Sequence, residues 1–263
     1  VQRWQARCSL IRPSVFCHAS YTCGPETLQA AKGLAQAAGV LFQIHVAETR
    51  DEVSLIRERY GCSPVAHLER LGLLGHDTLM VHAIWLDDAD IALAADRGVG
   101  IVHCPESNMK LGAGIAPVTR FLAAGLRVAL GTDGCASNNN QDLFKEMDTA
   151  AKLHKAACGD PTVVSAAETL RMATLDGARA IGLDAAIGSL EVGKQADITI
   201  LDGRHPRLHP LHNPVSQAVY AAAGDCVRDT IVAGRFLVRN RHLIGWEMES
   251  ILAPLEKAAR TLR

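Results

Sequence analysis

Ile44-His45-Val46-Ala47-Glu48 is a short apolar run of strand type that ends on polar side chains, and the chain repeats the device. Val81-His82 closes a second run, and Leu130-Gly131-Thr132-Asp133-Gly134 closes a third. Five segments read as strands: Val15–Ala19, Val40–Val46, Leu79–Trp85, Gly100–Cys104 and Arg127–Leu130. They are continuous apolar runs, the pattern of parallel strands buried on both faces by flanking helices. Helix punctuation separates them. Pro25 opens a helix that runs to Ala38 and stops at Gly39. Asp51–Leu74 reads as two helical pieces broken by Gly61 and Pro64. Asp87–Arg97 and Pro117–Ala124 each end on a glycine, and Asp142–Ala157 follows Asn138-Asn139-Asn140, the expected capping region. Proline inside a first turn and glycine just past a last one are the expected start and stop signals.

This rhythm of strand and helix predicts an α/β fold over residues 1–185, part of a TIM-type (β/α)8 barrel. A closed barrel needs eight strands; the five found here correspond to about strands 4–8. Residues 1–12 are polar and basic, too few for three more strands, and the chain opens Val1-Gln2-Arg3-Trp4 without a methionine. The expectation is therefore a chain truncated at its N-terminus, its open sheet prone to aggregation. Residues 186–263 change character after a helical stretch near Pro161–Ile181. Gly188–Asp197 is polar and turn-rich, Ile198–Leu201 is a strand, and Val227–Val238 reads as a hairpin turning at Ala233-Gly234-Arg235. This tail is expected to be a C-terminal portion of a small β-sandwich with a terminal helix.

Composition narrows the classes. Hydrophobic residues make up 48% and charged residues 21%, with a formal net charge of −1. That gives a sizeable core and no electrostatic case for nucleic acid or acidic membranes. No apolar run reaches the roughly 18–20 residues of a membrane span, and no signal-peptide pattern opens the chain. The eight cysteines form no CxxC pair, so they read as reduced thiols of a cytoplasmic protein. A homo-oligomer stays open.

In a parallel barrel the C-terminal strand ends meet at one mouth, where catalytic side chains collect. His45, His82 and Asp133 would meet there with Glu48, a set suited to metal-assisted hydrolysis. His45 is a ready metal ligand, and Glu48, three residues on, could shuttle protons; the plainer reading is a buried histidine with a helix-capping glutamate. An ionised Asp133 at a strand end needs a partner or a metal; its plainer reading is an Asx turn with Gly134. His18 ends the first strand and could touch substrate. His103 and Asn108, in His103-Cys104-Pro105-Glu106-Ser107-Asn108, read as residues that shape the loop behind the site. His67, His76, His154, His205, His209, His212 and His242 read as surface residues.

These motifs resemble the amidohydrolase superfamily, and most closely its methylthioadenosine/S-adenosylhomocysteine deaminases. The stretches that carry the likeness are His-Val-Ala-Glu-Thr-Arg-Asp-Glu at 45–52, Val-His-Cys-Pro-Glu-Ser-Asn-Met-Lys-Leu at 102–111, Leu-Gly-Thr-Asp-Gly-Cys-Ala-Ser-Asn-Asn-Asn at 130–140 and Gly-Ser-Leu-Glu-Val-Gly-Lys-Gln-Ala-Asp at 188–197. The resemblance implies a metal-dependent hydrolytic deaminase of adenosine-type nucleosides, releasing ammonia. It implies one divalent ion, zinc with iron as the alternative, held by His45 and Asp133. It makes Glu48, His82 and Asp133 catalytic, and His18, Glu48 and Asp133 contacts to substrate. The His-x-His pair that completes the family's metal site is absent from this sequence, which leaves two of four protein ligands. Two other readings remain: a related hydrolase of guanine, 8-oxoguanine or triazines, and a non-catalytic remnant.

Overall fold

A computed structural model of the chain describes Cys8 and residues 10–261. Most of the basic opening stretch, and the outermost residues of both expected domains, thus lie outside the described residues.

The first half builds β1 (Val15–Ala19), α1 (Pro25–Ala38), β2 (Phe42–Val46), α2 (Arg50–Tyr60), α3 (Pro64–Arg70), β3 (Thr78–His82), α4 (Asp88–Asp96), β4 (Gly100–His103), α5 (Pro105–Lys110), α6 (Val118–Ala123) and β5 (Arg127–Leu130). After β5 come α7 (Leu143–Cys158), α8 (Ala166–Met172) and α9 (Leu175–Ala180). The remainder comprises β6 (Ile198–Leu201), α10 (Pro214–Tyr220), β7 (Val227–Val232), β8 (Arg235–Arg239), β9 (His242–Leu243) and α11 (Met248–Thr261). The first five strands form one parallel sheet in the order β1-β2-β3-β4-β5, and the last four a separate antiparallel sheet in the order β6-β7-β8-β9. The expected α/β barrel segment and C-terminal β-layer are both present. No helix among the described residues is long and apolar enough to cross a membrane.

Local chemistry explains most boundaries. Thr49 caps α2 by accepting from the Glu52 backbone N–H, and Ser63 caps α3 ahead of Pro64. Ser165 and Glu168 close a reciprocal capping box at α8, which satisfies N–H groups the helix leaves unpaired. The asparagine run at 138–140 does not cap α7; Asp142 does, accepting from Phe144 N–H. The asparagines instead tie the preceding loop to itself, with Asn138 Oδ1 accepting from the Asn140 and Gln141 N–H groups. The helical stretch near Pro161–Ile181 is two helices, α8 and α9, separated at Ala173 and Thr174.

The core lies between the parallel sheet and its helices. Phe42, Ile44 and Val46 of β2 point into it and meet Leu28, Val53, Val65, Leu68 and Met80, all fully or nearly buried. Each such side chain contributes about 1.5–3 kcal/mol through removal from water. The opposite face of the sheet is the barrel interior. There Leu79, Val102 and Ala129 pack on Ala180 and Ile181. Burial on both faces holds for β3, in which all five residues are buried, and fails for β1. Phe16 is 51% exposed and His18 is exposed as well. The reason is position: β1 is the sheet's edge, paired only with β2 among the described residues.

Two histidines expected at the surface are core residues instead. His67 stacks flat on Tyr60 at 3.9 Å between ring centres, and His154 lies 3.0 Å from His103 between their Nε2 atoms; both are buried. An imidazole on the inner face of an amphipathic helix reads as polar by type but packs as a flat, partly apolar ring.

Candidate active site

Three strand ends supply the central side chains. His45 is the fourth residue of β2 and stands on the interior face, between buried Ile44 and Val46. His82 ends β3 in register with Val46, whose side chain belongs to the helix-facing core. Strict alternation would therefore bury His82 among the helices. The backbone turns left-handed at His82 (φ 70°) and Ala83 (φ 51°), and the ring centre comes to 5.2 Å from that of His45. Asp133 follows β5 and is also left-handed, with φ 62°. Backbones of this kind cost of order 1–3 kcal/mol for a non-glycine residue and collect at functional sites. His45, His82 and Asp133 each present one ligand atom, and these atoms all lie within 4.8 Å of one another.

Glu48 joins from the β2–α2 turn, its Oε2 3.8 Å from His82 Nε2. Its position is set by Glu52, whose carboxylate accepts from Ala47 N–H at 2.9 Å and Glu48 N–H at 2.8 Å. Burial pushes the Glu52 carboxyl up to about 7, against the two backbone donors that pull it down. His18 stands at the rim, exposed, with its ring 5.2 Å from that of His45 and its Nδ1 hydrogen-bonded to Thr22 Oγ1 at 2.8 Å. All five residues expected from the sequence thus gather at one mouth.

The helix α5, read from sequence only as a loop behind the site, braces two of them. Pro105 opens it immediately after β4, which sets consecutive residues between the ends of β3 and β5. Asn108 Oδ1 accepts from His82 Nδ1 at 2.8 Å, and Ser107 Oγ donates to Asp133 Oδ2 at 2.6 Å. The first bond places the His82 proton on Nδ1 and leaves Nε2 facing the cluster, the usual role of an outer partner in such sites. Burial acts to raise the Asp133 carboxyl, but the Ser107 hydrogen bond and the Gly134 backbone outweigh it, so the group is held below the ordinary aspartate range. His45 goes the opposite way: burial, and then the neighbouring His82, lower its pKa. A neutral imidazole and an ionised carboxylate are the protonation states a divalent metal needs.

The residues fit such an ion. His45 Nδ1 is buried without a hydrogen-bond partner, and two imidazoles with a carboxylate form a zinc-type donor set. Sequence reading did not single out Glu52 or Ser107. Thr49-x-x-Glu52 carries the pattern of a capping box, and that was the available signal for Glu52. Ser107 carried none beyond lying in a motif stretch.

Comparison with known proteins places this geometry. The amidohydrolase family profile matches residues 9–237. A 5-methylthioadenosine/S-adenosylhomocysteine deaminase of Syntrophobacter fumaroxidans is 48% identical over 263 residues, covering 100% of this chain and 60% of that protein. A 5'-deoxyadenosine deaminase of Methanopyrus kandleri is 45% identical over 253 residues, covering 96% and 58%. Among solved structures, an adenosine deaminase from Xanthomonas campestris with bound zinc superposes with a TM-score of 0.96 at 41% identity, covering 100% of this chain and 60% of that one. The chain thus spans about three fifths of the length of these relatives. With the profile matched over most of its length and the strand-end cluster in place, the chain belongs to the amidohydrolase family.

Proposed function

We propose that this mouth is the active site of a metal-dependent deaminase of adenosine-type nucleosides, with 5'-methylthioadenosine and S-adenosylhomocysteine as the substrate class. The observation that carries the reading is the convergence of His45, His82 and Asp133 ligand atoms within 4.8 Å. His45 and Asp133 would hold one divalent ion, zinc in this reading, and we place the protein in the cytoplasm on the strength of its free thiols. When bound, such an ion lowers the pKa of water towards neutrality and supplies a nucleophile at pH 7.

The chain's own residues do the rest. Asp133, held ionised by Ser107 and Gly134, takes a proton from the attacking water. Glu48 delivers a proton to the ring nitrogen beside the attacked carbon. His82, its Nδ1 tied to Asn108, offers Nε2 to the incoming oxygen. His18 lies at the rim, where it would meet the purine or the ribose. Oxygen adds to the carbon as the ring nitrogen takes its proton from Glu48; the proton held by Asp133 then leaves with the amine as ammonia, and water's second proton returns to Glu48. Each proton-transfer group is expected to contribute about 10²–10⁴-fold.

Identities of 41–48% to three adenosine-type deaminases favour this class over guanine or triazine substrates. Ammonia release by a full-length form, one that carries the His-x-His pair, measured with methylthioadenosine, S-adenosylhomocysteine, adenosine and guanine tests it. The expected result is turnover of the adenosine-type compounds alone, and loss of at least about 10²-fold in Asp133→Ala. Full turnover in that variant, or a preference for guanine, overturns the reading.

A further inference from the structure

We propose that His205, Asp225 and Cys226 form a second divalent-cation site of the zinc class, far along the chain from the barrel mouth and independent of its chemistry. His205 lies after β6, while Asp225 and Cys226 form the tight turn that enters β7. One ligand atom from each lies within 4.8 Å of the others. Cys226 Sγ is 3.4 Å from His205 Nδ1 and 3.7 Å from Asp225 Oδ1. Zinc bonds of about 2.3 Å to sulfur and about 2.0 Å to nitrogen or oxygen set tetrahedral ligands roughly 3.5 Å apart. The two pairs that include Cys226 already hold that spacing, and His205 and Asp225 lie within 4.8 Å of each other.

The setting supports a structural ion. Cys226 is fully buried in a small cluster with Leu208 and Ala222, against which Phe144 of α7 and Leu201 of β6 pack. Gly224 N–H donates to Asp142, the cap of α7. A cation here would clip the β6 exit to the β7 entry at the seam where the antiparallel sheet meets the barrel helices. Asp225 is half exposed and leaves a fourth vertex open to water. One charge opposes binding: Arg207 Nε lies 3.7 Å from Asp225 Oδ2. His205 Nδ1 also accepts a long bond, 3.3 Å, from Arg207 N–H, which an ion would displace. Binding converts the Cys226 thiol to a thiolate–metal bond and releases its proton to solvent.

Titration of the intact chain with Co²⁺ tests the site. The expected result is a thiolate-to-cobalt charge-transfer band that saturates at about one ion per chain. The band should vanish in Cys226→Ser and His205→Ala and persist in Asp133→Ala. Zn²⁺ should raise Tm further in the wild type than in the first two variants, and Asp133→Ala should keep the part of the rise that those two lose. Arg207→Ala removes an exposed competing charge and should tighten binding by about three- to tenfold, whereas Asp225→Asn should weaken it. Absence of the band, its survival in Cys226→Ser with native circular dichroism, or its loss in Asp133→Ala, which would assign it to the barrel mouth, overturns the proposal. Should the buried variants not fold, unchanged Co²⁺ affinity in both Arg207→Ala and Asp225→Asn overturns it equally.

Discussion

Glu52 holds the Ala47–Glu48 turn by two backbone hydrogen bonds, yet burial moves its carboxyl from 4.5 to about 7. The folded protein therefore binds this proton more tightly than the unfolded chain between those values. Stability contributed by the neutral form is full below about 4.5 and is lost as pH rises through about 7. The shift is worth up to about 3 kcal/mol at 1.4 kcal/mol per unit. Glu52→Gln mimics the protonated acid at every pH. Urea midpoints of both proteins should show the variant gaining on the wild type between pH 5 and pH 8. A wild type that gains instead would mean the two N–H donors dominate over burial. The residues at the centre were legible because histidine and aspartate at the ends of apolar runs are costly without a purpose. Their supports were legible only in part. Asn108 read as a residue behind the site, though its partner His82, 26 residues away, did not show; Glu52 looks like one more acidic residue in a helix's first turn, and Ser107 works through a contact 26 residues away in sequence.

At the scale of elements, all five strands were readable from apolar runs, and the one C-terminal end that shifts by more than a residue, that of β3, does so where the chain turns left-handed. The sequence pattern carries β3 on to Trp85, but the strand stops at His82, where φ becomes positive. The helix α5 escaped because six residues give too little periodicity to read. One glycine matters to the join between β4 and β5. A Cβ on Gly131 would lie 2.6 Å from Val102 Cγ1 and 3.3 Å from Cys104 Sγ. No real contact is that short, so the stiff Val102 side chain must turn or the strands must part. Gly131→Ala is expected to cost about 1–3 kcal/mol, the usual range for overpacking, and to displace Asp133 two residues on. Thermal unfolding reports the first effect and loss of metal affinity the second. An alanine variant with unchanged Tm would show that the strand ends yield freely.

For the whole molecule, the two sheets differ in how well they are closed. The parallel sheet is sealed by helices on one side, but at β1 its interior face reaches solvent through Phe16 and His18. The antiparallel sheet, α11 and the segment between them likewise leave Phe236, Leu237, Leu243, Trp246, Leu252 and Leu255 exposed. Exposed apolar groups on an unpaired edge strand invite association. Sedimentation of this chain should show concentration-dependent self-association, reduced in Phe16→Gln with the circular dichroism spectrum unchanged. A monomer at all concentrations would contradict this. The change from the parallel sheet to a separate antiparallel one was legible as a switch from strand–helix alternation to turns and hairpins. Which face of β1 stays open was not, because an apolar run looks the same whether or not a neighbour covers it.

Helix 143–158 carries two buried ionisable side chains with opposite habits. Burial raises Glu146 to about 7 and lowers His154 to about 4. Acidification from pH 6.5 to 4.5 favours the folded form through the first and disfavours it through the second, since one takes up a proton more readily than in the open chain and the other less. The two gradients run against each other on a single rod, so the helix that backs the barrel mouth is self-compensating towards mild acid, and neutralising either partner alone would unmask the other.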